Sequence, residues 1–261
     1  MLLENKVAVI YGAGGAIGSA VARAFGNEGA RLFLTGRMRA PVDAVAKDIV
    51  AAGGSAAAAE VDALDERAVD KHLRSVVDKA GRLDVSFNAI GVPDATILGQ
   101  SLIDMDATQF ALPITTYATS YFLTARLAAR WMVKNKSGVI MTVSALPART
   151  GTRLNGGYGA AQAAKEALTR DLSAELAPQG IRVVGLRPHG MPETRTMREA
   201  FDAKATGMTW DQFQGLLASM THPRRVMTLN EVAQMAVLMA SDRASGMTGT
   251  TVNMTMGSLD D

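Results

Sequence analysis

Cysteine is absent from the 261 residues of the chain, which excludes disulfides, thiolate nucleophiles and cysteine-based metal sites. Histidine is scarce. The three copies are His72, His189 and His222, and their spacing matches no metal-binding motif such as HExxH. We therefore predict that the protein holds no metal.

An excess of charge of one sign is also lacking. Lys and Arg number 27 against 25 Asp and Glu, and no basic cluster interrupts this balance, so we predict no nucleic-acid partner. No apolar run approaches the ~18 residues that a membrane span requires. The N-terminal residues lack the basic and then apolar segments of a signal peptide. We expect a soluble cytoplasmic protein with no membrane partner.

The chain does contain a regular alternation of apolar strand-like runs and amphipathic helical stretches. The apolar runs show no polar alternation, which is typical of parallel strands buried on both faces. The predicted strands are 7–11, 32–35, 57–61, 85–88, 138–144 and 182–186, and the predicted helices are roughly 16–28, 42–52, 66–80, 108–134 and 157–177. This order predicts a Rossmann-type α/β fold, a doubly wound parallel sheet with helices on both faces, in a single domain spanning 1–261.

Residues 191–222 interrupt the alternation. They are rich in Met and Thr, and they contain Trp210 and Phe213. We predict one or two short helices here that lie over the sheet edge as a substrate-side lid. Met and aromatic side chains in such a lid favour an apolar substrate pocket, although they are equally typical of ordinary core packing.

A glycine-rich loop follows the first predicted strand. Gly12, Gly14, Gly15 and Gly18 fall within seven residues, just before a predicted helix. Glycines let backbone N–H groups approach a pyrophosphate, and the helix N-terminus attracts its charge. Ile17 stands where the strict GxGxxG fingerprint needs its last glycine. We predict that this segment, Ile17 included, binds a dinucleotide; the alternative is a plain tight turn.

The end of the second predicted strand indicates which dinucleotide is bound. Gly36 provides no acid to accept the ribose hydroxyls and repel a 2′-phosphate, and Arg37 follows it. A guanidinium pairs with phosphate through two hydrogen bonds. We predict NADP(H) in preference to NAD(H). The alternative is that Arg37 and Arg39 are solvated surface charges.

These motifs resemble the short-chain dehydrogenase/reductase family, whose loop reads TGxxxGxG. Tyr11 replaces the Thr of that loop, and Ala16 replaces its middle Gly. Further similarities are Asn88-Ala-Ile-Gly91, Glu166-Ala-Leu-Thr-Arg170, Gly180-Ile-Arg-Val and Met247-Thr-Gly249. The resemblance implies the strand order 3-2-1-4-5-6-7, and a homodimer or homotetramer built through the two long central helices. It also places cofactor contacts at Asp62, Asn88, Gly91, Pro188 and Thr194.

The resemblance implies four catalytic positions, and this chain keeps one by residue type. The places of the family's Asn, Ser, Tyr and Lys are Tyr117, Ala145, Tyr158 and Gln162. In the family, Tyr exchanges a proton with the substrate oxygen, Ser holds that oxygen, and Lys lowers the Tyr pKa and holds the ribose. Gln162 can still bond a ribose but carries no charge. Ser144, next to Ala145, is a candidate substrate contact.

Lys165, seven residues after Tyr158, is a candidate replacement for the missing lysine. Seven helical residues are two turns less about 20°, with a rise of about 10.5 Å, so the two side chains share a face. Helical side chains point back toward the N-terminus, which favours a partial approach. The alternative is a lysine at an interface with its stem buried. The Tyr-x6-Lys spacing is similar to that of enoyl reductases, but there the tyrosine is displaced rather than the lysine, so we discount it.

Three functions remain open at this point. The first is an NADP(H)-dependent oxidoreductase for a small carbonyl or alcohol substrate, acting as a reductase because a neutral Tyr158 is already the acid that reduction needs. The second is a catalytically impaired protein that binds a dinucleotide or partners without turnover. The third is non-redox chemistry like that of dehalogenases resembling this family, which carry Arg at the place of Gln162 and have lost the dinucleotide loop.

Overall fold

A sheet of seven parallel strands forms the centre of the protein, in a computed structural model that describes residues 1–92, 96–205 and 207–260. The strands lie in the order β3-β2-β1-β4-β5-β6-β7, which confirms the predicted order. Their bounds are β1 Val7–Tyr11, β2 Arg31–Gly36, β3 Ser55–Glu60, β4 Val85–Asn88, β5 Gly138–Val143, β6 Ile181–Pro188 and β7 Thr250–Met254.

Helices cover both faces of the sheet, as predicted for a doubly wound fold. The α-helices are α1 Ala16–Asn27, α2 Arg39–Ala51, α3 Glu66–Ala80, α4 Ala107–Asn135, α5 Tyr158–Leu176, α6 Arg195–Lys204, α7 Trp210–Ser219 and α8 Leu229–Ala240. Alternate side chains of a strand point to opposite faces. Ile10 and Phe87 therefore pack under α1, α2 and α8, whereas Val9 and Ile140 pack under α3, α4 and α5.

Three elements differ from the list of predicted strands and helices; one is β7, which was implied only by the seven-strand order of the resemblance. The strand predicted as buried over 57–61 is β3, which begins at Ser55 and has exposed or half-exposed residues throughout. The reason is its place at the sheet edge, where one side has no neighbouring strand. Helix α8 was not predicted, although Thr228 and Glu231 form a capping box at its start, which is a recognisable sequence signal.

The segment 191–222 contains two short helices, α6 and α7, as predicted. Thr194 caps α6 by accepting a hydrogen bond from the Met197 amide. Phe201 on α6 packs edge-on against Trp210 of α7, with ring centroids 5.3 Å apart. The two helices are thus held together by an aromatic contact. Their role as a lid stays a prediction.

We expect the Phe87→Ala substitution to destabilise the fold strongly. Phe87 is fully buried in the central strand β4, so the substitution removes buried apolar surface and leaves a cavity, at a cost of about 3–5 kcal/mol. Urea unfolding of both proteins measures the difference. Leu238→Ala, at a position 38% exposed on α8, is the matched control and should cost less than about 1 kcal/mol. Equal losses would contradict this placement of the core.

Candidate functional site

The loops that follow β1, β4, β5 and β6 meet at the carboxyl edge of the sheet. Parallel strands all end at the same edge, and ligands of open α/β sheets bind in the crevice outside it. In strand order, these loops carry the glycine segment 12–18, Gly91, Ala145 and His189. Tyr158 is the first residue of α5, which packs against β6 and β7. The topology therefore brings most of the predicted site residues to one edge.

The glycine loop is closely packed. Gly12 has φ +75°, and a Cβ there would lie 2.5 Å from the carbonyl oxygen of Ala89 after β4. A Cβ at Gly18 would overlap the carbonyl oxygen of Gly12. Gly15 caps α1 without a side chain, and no acid lies in the first turn. Within the described ranges, the α1 N-terminus therefore presents amides that no side chain caps, which suits a pyrophosphate.

Other residues of the loop have packing roles. A Cβ on Gly14 would lie 3.0 Å from Cβ of Pro41 in α2. Ile17 packs against the core below α1. Tyr11 is fully buried on the α3 and α4 side of the sheet, and burial raises the pKa of its phenol. Tyr11 therefore supplies no acid to the crevice.

Arg37 is exposed just after β2 and forms no hydrogen bond or ion pair within the described ranges. Arg39 differs, because its Nε lies 3.1 Å from Oδ2 of Asp43. Asp62 is exposed after β3, and its Oδ1 accepts a hydrogen bond of 2.9 Å from the Leu64 amide. Of the two arginines, Arg37 is the one whose guanidinium is available to a phosphate.

The remaining predicted cofactor residues differ in burial and in the hydrogen bonds that they make. Asn88 is buried and donates to Oγ1 of Thr124 on α4 at 3.1 Å, so its side chain joins β4 to α4. Gly91 is exposed, and a Cβ there would meet open space. Pro188 ends β6, and the Thr194 hydroxyl donates to the Met191 carbonyl. Gly91 and Pro188 thus lie at the crevice, while Asn88 and Thr194 shape its walls.

Two phenol rings and a lysine form the centre of the site. Tyr158 is half-buried in the first turn of α5, and its ring meets that of Tyr117 on α4 edge-on at 5.8 Å. Nζ of Lys165 lies 5.3 Å from the centroid of the Tyr117 ring. The same Nζ donates to the carbonyl oxygen of Val143 at the end of β5. Lys165 thus extends back along α5, and Tyr117 contacts both its ammonium group and Tyr158.

The lysine is almost fully buried, at 1% exposure. Burial lowers the pKa of Lys165 to about 7, and the nearby Glu166 carboxylate offsets part of this effect. A single backbone carbonyl and an aromatic face solvate an ammonium ion less well than water does. Near neutral pH, Lys165 therefore exists in both its charged and neutral forms.

Gln162 occupies the place of the family's lysine. Its side chain is 2% exposed, and Oε1 has no hydrogen-bond partner within the described part of the chain. A buried acceptor without a partner is rare in folded proteins and indicates a missing water or ligand. The hydroxyls of a ribose are donors of the required kind. Together with the glycine loop and Arg37, this unbonded acceptor fits a bound dinucleotide.

The hydroxyl of Ser144 is engaged within the fold. Its hydroxyl donates to Oε1 of Glu166 at 2.7 Å, and Arg187 of β6 bonds both Glu166 oxygens, at 2.8 and 2.9 Å. All three side chains are at most 5% exposed. Sequence reasoning missed this ion pair, although an arginine in the apolar run of β6 was a signal for it. The substrate contact predicted for Ser144 would require its hydroxyl to leave Glu166.

No cluster of three or more metal-ligating side chains occurs in residues 1–92, 96–205 and 207–260. A helix long and apolar enough to cross a membrane is likewise missing from the part of the chain that the structure covers.

Comparison with known proteins identifies the family. A family model described as enoyl-(acyl carrier protein) reductase matches residues 12–258. The chain belongs to the short-chain dehydrogenase/reductase family. It is an oxidoreductase of that type, as the resemblance implied. The description of the matched model names one activity of the family, and for this chain it is a similarity only.

Individual relatives agree with this assignment. An uncharacterized oxidoreductase, YxbG of Bacillus subtilis, is 32% identical over 251 residues, which cover 95% of this chain and 88% of the relative. A 3-oxoacyl-[acyl-carrier-protein] reductase of Synechocystis is 30% identical over 188 residues, which cover 71% of this chain and 74% of the relative. The crystal structure of an NAD⁺-bound xylitol dehydrogenase superposes with a TM-score of 0.91 at 25% identity, covering 98% of this chain and all of that one.

The buried position of Lys165 predicts a specific dependence of stability on pH. The pKa of Lys165 is about 7 in the folded chain and about 10.5 in the unfolded chain. Between these values the unfolded chain binds a proton that the folded chain lacks, so the unfolding free energy rises with pH by up to about 1.4 kcal/mol per unit. The wild type should therefore gain stability relative to a Lys165→Met variant between pH 7 and pH 9, because methionine does not titrate.

Chemical denaturation of the two proteins at several pH values measures this difference. Lys47→Met, at an exposed position on α2, is the matched control, and its difference from the wild type should not vary with pH. A difference for Lys165→Met that also stays constant over this range would contradict the buried position of the ammonium.

Proposed function

We propose that the protein is an NADP(H)-dependent oxidoreductase that reduces a small carbonyl substrate, with Tyr158 as the proton donor. The observation that carries this proposal is the position of Tyr158 at the crevice, in edge-on contact with Tyr117, whose ring faces the Lys165 ammonium. The site thus keeps a phenol and a buried cation in one cluster, although the lysine of the usual motif is absent.

The residues that would hold the dinucleotide are distributed along the sheet edge. The loop residues Gly12, Gly14, Gly15 and Gly18 and the α1 N-terminus would hold the pyrophosphate. Asp62 and Arg37 would hold the adenosine end, and Gln162 Oε1 would accept a hydrogen bond from the ribose near the reacting ring. When bound, the dinucleotide supplies a hydride. The chain itself must supply a proton, an orientation for the substrate and protection from water.

Tyr158 is proposed to transfer its phenol proton to the substrate oxygen as the carbonyl carbon accepts the hydride, and to recover a proton from solvent. Lys165 takes part through its charge. Its Nζ touches the Tyr117 ring and the Val143 carbonyl rather than the ribose position, where Gln162 stands. We propose that the two functions of the family's single lysine are divided here, with the ribose contact at Gln162 and the cation at Lys165.

The lid and the oligomer complete the proposal. The segment 191–222 is proposed to cover the substrate, and its cluster of Phe201, Trp210 and Phe213 favours an apolar substrate. We further propose a homodimer or homotetramer built through α4 and α5. Phe110 and Phe122 of α4 are each 39% exposed, which is compatible with a face that another copy covers.

A second candidate function is dinucleotide or partner binding without turnover. The engagement of Ser144 by Glu166 favours it, because the substrate oxygen then lacks its usual hydroxyl donor. NADPH binding with no reduction of any probe would support this function over the first. Failure to bind either dinucleotide would favour the non-redox chemistry of the related dehalogenases.

Arg37→Ala should weaken NADPH binding by about 10- to 100-fold, because charge-assisted hydrogen bonds to the 2′-phosphate are lost. NADH binding should change little. Nicotinamide fluorescence titrations of both dinucleotides measure the effect. Arg39→Ala is the matched control, since that guanidinium already pairs with Asp43. Equal weakening of NADPH and NADH binding would rule out contact between Arg37 and the 2′-phosphate.

Tyr158→Phe should lower the rate of NADPH-dependent reduction by about 10²–10⁴-fold while leaving NADPH affinity intact, because only the proton donor is removed. The rate is followed by NADPH absorbance with ethyl acetoacetate, 4-nitrobenzaldehyde and crotonyl-coenzyme A; the last probe addresses the enoyl reductase similarity. Tyr121→Phe, a buried phenol on α4 bonded to Thr169, is the control and should keep its activity. Undiminished reduction by Tyr158→Phe would overturn the assignment.

A further inference from the structure

His189 is a buried histidine at the carboxyl edge of the sheet whose imidazole has no partner among the residues that the structure describes. It follows Pro188, the last residue of β6, and is 2% exposed. Neither ring nitrogen makes a hydrogen bond of normal geometry within the described ranges. Burying polar atoms without partners is costly, so such atoms usually bond a water or a ligand. The imidazole is therefore arranged to bond something that is not part of the folded chain.

The strand geometry indicates where His189 points. Its amide donates to the Met254 carbonyl of β7 at 3.3 Å, so sheet pairing continues one residue beyond Pro188. Two residues earlier, Arg187 points to the α5 face, where it bonds Glu166. Alternate residues of a strand share a face. His189 is therefore directed toward the side of the sheet that carries α5 and Tyr158.

The neighbouring strand lacks a donor at the corresponding place. Val143 is level with Leu186 in the pairing of β5 and β6, and the Ser144 amide donates to the Leu186 carbonyl at 2.7 Å, so the pairing extends to the residue just before Ala145. Ala145 has no side-chain donor, and the Ser144 hydroxyl already donates its hydrogen bond to Glu166. The proposed reduction develops negative charge on the substrate oxygen, and a second donor beside Tyr158 would stabilise it.

We propose that His189 donates a hydrogen bond to the substrate oxygen, at the place where Ala145 leaves the family's serine donor missing. The inference rests on the proposed carbonyl reduction. A neutral imidazole offers one N–H donor and one acceptor. Burial lowers the pKa of His189, only partly offset by contact with the Gly190 backbone, so the ring stays neutral near pH 7. His189 would thus be a catalytic residue of this chain, acting on the substrate rather than on the dinucleotide.

The test removes the imidazole and introduces, at Ala145, the serine that the family carries there. His189→Leu removes both nitrogens, whereas His189→Asn and His189→Gln keep a donor near the positions of Nδ1 and Nε2, respectively. Ala145→Ser, alone and together with His189→Leu, restores the hydroxyl. His72→Leu is the control, because His72 is half-buried on α3, away from this edge, and its Nδ1 has no hydrogen-bond partner in the described part of the chain.

Two measurements are made on each full-length variant. The first is kcat/KM for reduction of ethyl acetoacetate with NADPH. The second is calorimetric binding of the corresponding alcohol, ethyl 3-hydroxybutyrate, to the NADPH complex, which cannot turn over. NADPH affinity is measured in parallel to separate effects on the dinucleotide from effects on the substrate.

We expect His189→Leu to lower kcat/KM by about 10²-fold, in line with the loss of one oxyanion donor, and to weaken binding of the alcohol with NADPH affinity unchanged. Adding Ala145→Ser to His189→Leu should raise kcat/KM at least tenfold. The His189→Asn and His189→Gln variants should have higher kcat/KM than His189→Leu. A role in packing alone would not produce recovery by a hydroxyl on the neighbouring strand.

Three results would overturn the inference. Unchanged kinetics in His189→Leu would mean that the imidazole bonds only buried water. A loss confined to NADPH affinity would place His189 on the dinucleotide. Activity lost in His189→Leu and unrestored by Ala145→Ser, with a lowered melting temperature, would indicate a structural role. If the wild type binds NADPH but neither reduces the ketone nor binds the alcohol, the proposed function fails and the inference fails with it.

Discussion

The site depends on one constraint, the parallel arrangement of the strands. Because every strand ends at the same edge, residues far apart in sequence are placed side by side without any specific attraction between them. The glycine loop after β1 and the loop after β4 approach so closely that Gly12 leaves no room for a Cβ beside Ala89. The same arrangement places the loop after β5, with Ala145, next to the loop after β6, with His189, because β5 and β6 are paired neighbours. The grouping of the predicted site residues at one edge is therefore a consequence of the topology.

Around that edge, we propose, the two functions of the family's single lysine are divided between two residues. Gln162 keeps the position but not the charge, and its buried acceptor is unbonded in the residues described. Lys165 keeps the charge but sits one helical turn deeper, where burial lowers its pKa to about 7. A cation at this depth destabilises the fold near neutral pH, and such a cost is more readily explained by function than by packing. Tyr117, in contact with both Lys165 and Tyr158, connects the two positions.

Much of the fold could be predicted from the sequence because its signals are local. Continuous apolar runs and intervening amphipathic stretches indicated the strands and the helices on both faces, and the family resemblance supplied the strand order. The glycine loop could be located from residues that are close together in sequence. The strand order places β3 at the sheet edge, but the exposure of its residues was not predicted, since an alanine-rich run reads the same at a sheet edge as in its centre. The capping box of α8 was a local signal that sequence reasoning did not use.

The side-chain network of the site was less predictable, because it depends on contacts between distant elements. Nothing near Ser144 in sequence indicates that its hydroxyl bonds Glu166, twenty-two residues away, or that Arg187 completes the ion pair. The direction of the Lys165 side chain and the lack of a partner for the His189 imidazole among the described residues likewise depend on packing between distant elements. The sequence was sufficient to predict Tyr158 as a proton donor. The structure adds which of its neighbours have atoms available to a ligand.

The decisive experiment is a crystal structure of the protein with NADPH bound, because the division of the lysine's work between Gln162 and Lys165 depends on where the dinucleotide lies. We predict the pyrophosphate at the α1 N-terminus, the 2′-phosphate on Arg37 and a ribose hydroxyl donating to Gln162 Oε1, with the reacting ring beside Tyr158. A complex in which Gln162 still lacks a partner and the nicotinamide lies away from Tyr158 would contradict this division.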